Sequence, residues 1–455
     1  MSRTYSALAR PSRQPGTRID RPLPVFSRSR TSSLIFIAMV LVMLLCPGRS
    51  RSQTNAAEAT ARLDSLVALA ASRNAQVKAA EQQWRAIREQ RSQVTAWEDP
   101  TLSYTRWIST PETRVGPQEN AFMLSQRIPF PGKLGTKGEM SDEDARAEEA
   151  RYHAVLRDVV FGVKRAYYDL YGIDQSIRII DAYISLLKDF STIAEQRYAT
   201  GEGIQASALK AQVEISQMLE RRLTFGKLRA GAVARLNALL NQPSETPFDT
   251  VSWIDTSSAV PPREAVVRQA LADRQELHSA ASMVRKSELM ASLARLDYYP
   301  SFTLQATYIT IPRLSGNMFA DAGKDPFSVT VGINLPIQFG RRSAAVEEAS
   351  ASTEANRAAL KNLENNVEAE IADTYSQLET SATTLDLYDK GLLIQAQSSF
   401  ESALSAYKTG KLEFLGLLDA ERMLLQVRLG YVKELTGFRK LVATLERDAG
   451  GSLTP

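Results

Sequence analysis

The chain has 455 residues, a formal net charge of +4 and one cysteine, Cys46, which excludes an intrachain disulfide and a cysteine-built metal cluster. The positive charge is local: nine arginines and a single acid, Asp20, lie in residues 1–52, so the remainder is net acidic by four. A body without a basic face excludes a nucleic-acid footprint.

In chain order, Arg28 and Arg30 come first, then the apolar run Leu34 to Cys46, then Pro47-Gly48. Thirteen residues are too few to span a bilayer as a helix and suit the apolar region of an export signal. Ser50 and Ser52 allow cleavage near Gln53, so residues 1–52 read as a leader with a signal peptide. Cys46 follows an apolar run as a lipoprotein cysteine does, although Leu45 stands where a small residue is expected.

An Ala-rich helix is expected over 57–96. Two strand-like segments follow, 101–110 and 120–128, joined by a polar loop. The tract 132–242 is free of proline, and a helix from Lys137 to Tyr198 would run ~90–95 Å at ~1.5 Å per residue. Thr200-Gly201 then interrupts the pattern, and a shorter helix occupies 203–240.

Residues 242–262, rich in Pro, Ser and Thr, read as a linker. The same order then recurs: a helix over 263–297, strands over 301–311 and 326–337, and a second proline-free tract, 337–454. Leu360, Leu363, Val367, Ile371 and Leu378 mark the stripe of a helix packed along its length. Tyr198-x-Thr200-Gly201 and Tyr407-x-Thr409-Gly410 fall at matching places. Repeats over 53–241 and 263–448, with a tail at 449–455, account for this better than chance.

The strand near 330 alternates most cleanly, with Val329, Val331 and Ile333 on one face and Ser328, Thr330 and Asn334 on the other. Four strands make a sheet with open edges, and unpaired backbone is costly in lipid. Three chains would close a barrel of twelve strands, with Ser328, Thr330 and Asn334 lining a wet lumen. A soluble α+β protein is the rival fold, and it leaves the long helices unexplained.

Local motifs add to the repeat: "SRNAQV", "DPTLSY", "SQRIPFPGK", "VKRAYYDL" and "YKTGKLEFLGLLDAER". With these the sequence resembles the TolC family of bacterial outer-membrane efflux proteins over nearly all of residues 57–448, and "IPFPGK" is most similar to the heavy-metal and cation branch. The resemblance implies a mainly α fold with a membrane β-barrel: a homotrimer with a twelve-stranded barrel in outer-membrane lipid and a helical tunnel crossing the periplasm. It implies as partners a periplasmic adaptor protein and an inner-membrane pump, with the RND type favoured.

Two helix reversals follow from Gly201 and Gly410, because a helix commonly ends on a left-handed glycine. By resemblance these turns, with Tyr198, Thr200, Tyr407 and Thr409, form the periplasmic end that meets the adaptor. Asp419 occupies the place of an acidic gate residue in familiar members, whereas Gly416 and Leu412 replace an acid and an arginine of the best-known member.

No catalytic constellation, cofactor motif or metal-ligand spacing emerges: His153 and His278 stand apart, and no phosphate-binding glycine loop occurs. The acidic stretch 138–149 reads as a solvated helix start or as a cation-attracting ring. The expected function is a passive exit duct for small solutes, with metal cations as one candidate class, and not an enzyme. A type I secretion duct for polypeptides and a pore-free coiled-coil scaffold are the alternatives.

Overall fold

The computed structural model describes residues 51–453, apart from 314, 315 and 317–319. The leader, with its signal peptide and Cys46, lies outside the described residues but for Arg51 and Ser52. The described residues from Asn55 onward form one compact unit.

Helices α1 (Arg51–Arg73), α2 (Ala75–Arg88) and α3 (Gln90–Thr95) open the first half. The single helix expected over 57–96 is therefore corrected to three. Asn74 makes the first break: its ψ is 130°, and its side chain accepts from the N–H groups of Gln76 (2.8 Å) and Val77 (3.3 Å). That is N-cap chemistry, and it satisfies donors a helix start leaves free.

Strand β1 (Thr101–Arg106) pairs with β4 (Asn120–Ile128), and between them a short hairpin joins β2 (Glu112–Thr113) to β3 (Gly116–Pro117). Phe130-Pro131-Gly132-Lys133 then turns the chain. Lys133 N–H donates to the Phe130 carbonyl at 3.1 Å, and Gly132 has φ 95°. Proline followed by a positive-φ glycine is the type II pattern. Helix α4 (Lys133–Ala199) continues for 67 residues, roughly 100 Å at 1.5 Å per residue. After a turn, α5 (Gln205–Leu239) packs back along it.

The linker docks on this pair: Asp174 of α4 accepts from Val251 N–H at 2.8 Å and from Arg229 of α5 at 2.6 Å. The second half repeats the order with α6 (Arg263–Asp273), α7 (Gln275–Leu296), β5 (Phe302–Thr310), β6 (Phe327–Ile333) and α8 (Phe339–Leu387). A helix over 263–297 is likewise corrected to two. The break at Arg274 has ψ 122°, and its buried guanidinium pairs with Glu370 at 2.8 Å and Glu276 at 3.4 Å. A π-helical turn, Tyr388–Leu392, links α8 to α9 (Leu393–Lys408), and α10 (Phe414–Asp448) returns.

Two apolar cores lie along these helices. One gathers Tyr167, Leu170, Leu236, Ile371, Leu378, Phe438 and Leu445. The other gathers Ile180, Tyr183, Leu187, Phe400, Tyr407, Phe414 and Leu417 towards the two turns.

The four main strands form one antiparallel sheet in the order β1-β4-β5-β6. Register puts Leu102, Leu124, Ala306 and Val329 in one row, and Tyr104, Phe122, Tyr308 and Phe327 in another, all on a single face. That face is exposed: Leu102 71%, Phe327 66%, Val331 69%. Its opposite carries Ser103, Ser125, Thr303, Gln305, Ser328 and Thr330. Among the described residues no helix is long and apolar enough to cross a membrane.

Candidate functional site

The two helix reversals meet. In each, a hydrogen bond runs from the third residue past the helix back to its last turn: Glu202 N–H to the Arg197 carbonyl and Lys411 N–H to the Ala406 carbonyl, both 2.9 Å. Gly201 N–H donates to the Tyr198 carbonyl and Gly410 N–H to the Tyr407 carbonyl, both 3.1 Å. This double bond pattern with a left-handed residue is the Schellman motif, and φ is 78° at Gly201 and 72° at Gly410. Hydroxyls of Thr200 and Thr409 donate into their own last turns, to Arg197 and Ala406 carbonyls at 3.1 Å each.

The pseudo-equivalent tyrosines differ. Tyr407 is 4% exposed and carries the Arg197 guanidinium 4.6 Å above its ring, whereas Tyr198 is 51% exposed. Arg197 also donates to the Tyr407 carbonyl at 3.1 Å. A cation from the first reversal thereby caps the helix end of the second, where carbonyls carry partial negative charge. Between the turns lies a groove of about 590 Å³, whose lining includes Arg197, Lys210 and Lys411 beside Ile204, Leu412 and Leu415.

Asp419 stands on α10 beyond this groove, exposed, with Arg422 its nearest cation at 3.8 Å. Leu412 folds over Gly416, where an added Cβ would lie 2.7 Å from its methyl carbon. The two departures from the best-known member thus form a matched apolar contact.

Ser328 and Thr330 lie in β6 on the polar face, exposed. Asn334 follows the strand, and its N–H donates to the Ser301 carbonyl at 3.2 Å. These residues sit beyond the opposite end of α4 from the turns, so the structure does not gather them with Asp419 into one site.

The acidic stretch 138–149 is largely neutralised. Lys286 pairs with Asp144 at 2.7 Å, Arg151 with Glu148 at 3.0 Å, Arg91 with Asp142, and Arg146 with Glu143. His153 and His278 are exposed, and among the described residues no group of three or more His, Cys, Asp or Glu could hold a metal.

Sequence reasoning missed Glu421. This carboxyl is 1% exposed inside the core near the turns. The signal was present, since Phe414, Leu417, Leu418, Glu421, Leu424 and Leu425 form one stripe of threes and fours.

A profile of the family described as "Outer membrane efflux protein" matches residues 66–242 and 266–450. The pyoverdine export outer membrane protein OpmQ of Pseudomonas aeruginosa is 23% identical over 320 residues, 66% of this chain and 64% of that protein. The match therefore spans just under two thirds of that relative's length. The cobalt-zinc-cadmium resistance protein CzcC of Cupriavidus metallidurans is 21% identical over 74% of this chain and 79% of its own. The solved structure of CusC superposes with a TM-score of 0.72 at 19% identity, covering 86% of this chain and 92% of that one. The sheet, the doubled helix pairs and the profile match over both halves agree: the chain belongs to the outer membrane efflux protein family and resides in the bacterial outer membrane, extending into the periplasm.

Proposed function

We propose that the protein is the outer-membrane exit duct of a tripartite efflux system. The observation that carries the reading is the four-stranded sheet. It has two open edges, β1 and β6, and one exposed, mostly apolar face. Open edges are not tolerated in hydrocarbon, so the sheet needs further strands. Three copies supply twelve strands, an even number within the range of outer-membrane barrels. Strands β4 and β5, nine residues each, match the length a tilted strand needs to cross. Tyr104, Phe122, Tyr308 and Phe327 then form an aromatic girdle towards one rim of the apolar band.

The repeats over 53–241 and 263–448 each supply one hairpin and one long helix pair, and the linker 242–262 binds them at mid-length. The paired turns at Gly201 and Gly410 form the periplasmic mouth, where a periplasmic adaptor protein docks and an inner-membrane pump, RND type favoured, supplies the energy. Asp419 lies at this mouth, where threefold symmetry would bring three carboxylates near the axis and favour cations. Small solutes are the cargo. Similarity to a cobalt-zinc-cadmium resistance protein and to a pyoverdine export protein supports that over polypeptides.

The test is accessibility combined with conduction. Single cysteines at Ser328 and Thr330 should react with a membrane-impermeant thiol reagent, and cysteines at Val329 and Val331 should not. The purified protein should form a heat-modifiable trimer that conducts in planar bilayers. Equal labelling at all four positions, or a trimer that never conducts, would overturn the duct.

A further inference from the structure

Glu421 lies on α10 in one stripe with Leu417, Leu418, Leu424 and Leu425, and is itself 1% exposed. Neither of its carboxylate oxygens has a hydrogen-bond partner, nor has the buried Tyr183 hydroxyl of α4. Both side chains line one cavity of about 340 Å³, shared with Asp189 of α4 and Arg428 of α10. From α5 comes Glu214, 4% exposed and ion-paired to Arg422. Helix α9 presents Ala396 and Phe400 to the same core, and its Gln397 accepts from Arg428 at 2.8 Å.

An unpaired carboxylate is expensive in such a place, and a leucine on this stripe would pack without that cost. Burial, with the like charge of Glu214 beside it, pushes the Glu421 carboxyl up to about 8. Burial first and Glu421 second raise the Tyr183 phenol, which therefore stays neutral.

We propose that Glu421, Tyr183 and the Glu214–Arg422 bridge form a proton-operated lock holding the α9–α10 hairpin against the α4–α5 hairpin. This rests on the reading of the turns as the periplasmic mouth, since parting the hairpins there widens the passage. With Glu421 protonated, the carboxyl is neutral and packs in the apolar layer. Once ionised it requires water, and parting α10 from α4 opens its cavity to solvent.

The sign follows from where the proton is held. The locked state keeps a proton that a hydrated Glu421 would release near its ordinary value of 4.5. Locking is therefore strongest below that value, weakens as pH rises towards about 8, and weakens no further above it. The Glu214–Arg422 bridge acts on both states of the lock. It engages a cation that could otherwise neutralise Glu421, and it ties α5 to α10 directly.

The test uses the intact protein in detergent and in planar bilayers. Amide exchange across residues 417–425 is followed from about pH 6 to about pH 9 in wild type, Glu421→Gln and Glu214→Gln, so that intrinsic exchange chemistry cancels between them. Wild-type protection should fall roughly tenfold or more relative to Glu421→Gln over that range. Glu214→Gln should move the fall to lower pH, because it removes a like charge and frees Arg422 for Glu421. Parallel wild-type and Glu421→Gln profiles would overturn the lock. If Glu421→Gln misfolds, an unmoved profile in Glu214→Gln overturns it instead. Protection that falls while conductance stays constant supports the lock and removes the turns as the mouth. Conductance that rises with pH at constant protection does the opposite.

Discussion

Single residues set the geometry of the turns. An added Cβ at Gly201 or Gly410 meets nothing within 4 Å, so any substitution there is opposed by backbone conformation alone. A left-handed valine costs about 1–2 kcal/mol, too little to dissolve the proposed trimer. Cells carrying Gly201→Val or Gly410→Val should therefore keep a heat-modifiable trimer at normal abundance. They should nonetheless lose whatever solute resistance the wild-type protein confers, because the proposed docking surface is reshaped. Wild-type resistance in both variants would remove the turns from the mechanism. Asp419 is tested differently. Its weak contact with Arg422 leaves the charge free to act on passing ions, and charges in a narrow pore are poorly screened. Asp419→Asn should lower the cation preference read from the reversal potential in a salt gradient. An unmoved potential would mean the side chain points away from the passage.

Elements show how much the sequence discloses. Strand alternation and the helix stripes are legible because period two and period 3.6 are written in side-chain polarity. The breaks are less so. Asn74 announces itself chemically, since asparagine before Ala-Gln-Val is an N-cap signal, yet an Ala-rich stretch invites one helix to run through it. Arg274 gives a weaker cue: beside nearby Glu276, its shorter ion pair is with Glu370, 96 positions away. The π-helical turn is silent, for Tyr388 rests against Gly430 of a different helix. Glu421 was readable as a polar residue on an apolar stripe, but its isolation from every donor appears only when α4 and α5 are in place. Strand faces yield a further test. Val331→Arg, on the apolar face, should destabilise the proposed barrel by about 2–4 kcal/mol, whereas Thr330→Arg, one residue away on the polar face, should be nearly neutral. Urea titration of the heat-modifiable band distinguishes them, and equal losses would mean that the two faces share one environment.

At the scale of the whole molecule, the described chain is two copies of one plan that have diverged in detail. Both halves keep a hairpin, a long helix and a glycine reversal, but the first long helix is continuous and the second carries the π-helical turn. The corner after β4 uses a positive-φ glycine, while after β6 the chain passes through Leu335-Pro336-Ile337 without one. The exposed apolar face of the sheet has a consequence in time. A protomer newly delivered to the periplasm would display Leu102, Phe327, Val329 and Val331 to water, beside two unpaired strand edges. Such a surface is an aggregation hazard for as long as it is bare. In the proposed trimer its lifetime depends on meeting two more copies, so it lengthens steeply when the supply of new chains falls. A holdase that covers the hairpins and releases them at the lipid surface would matter most at low expression, where partners are rare, rather than at high expression, where trimers form quickly.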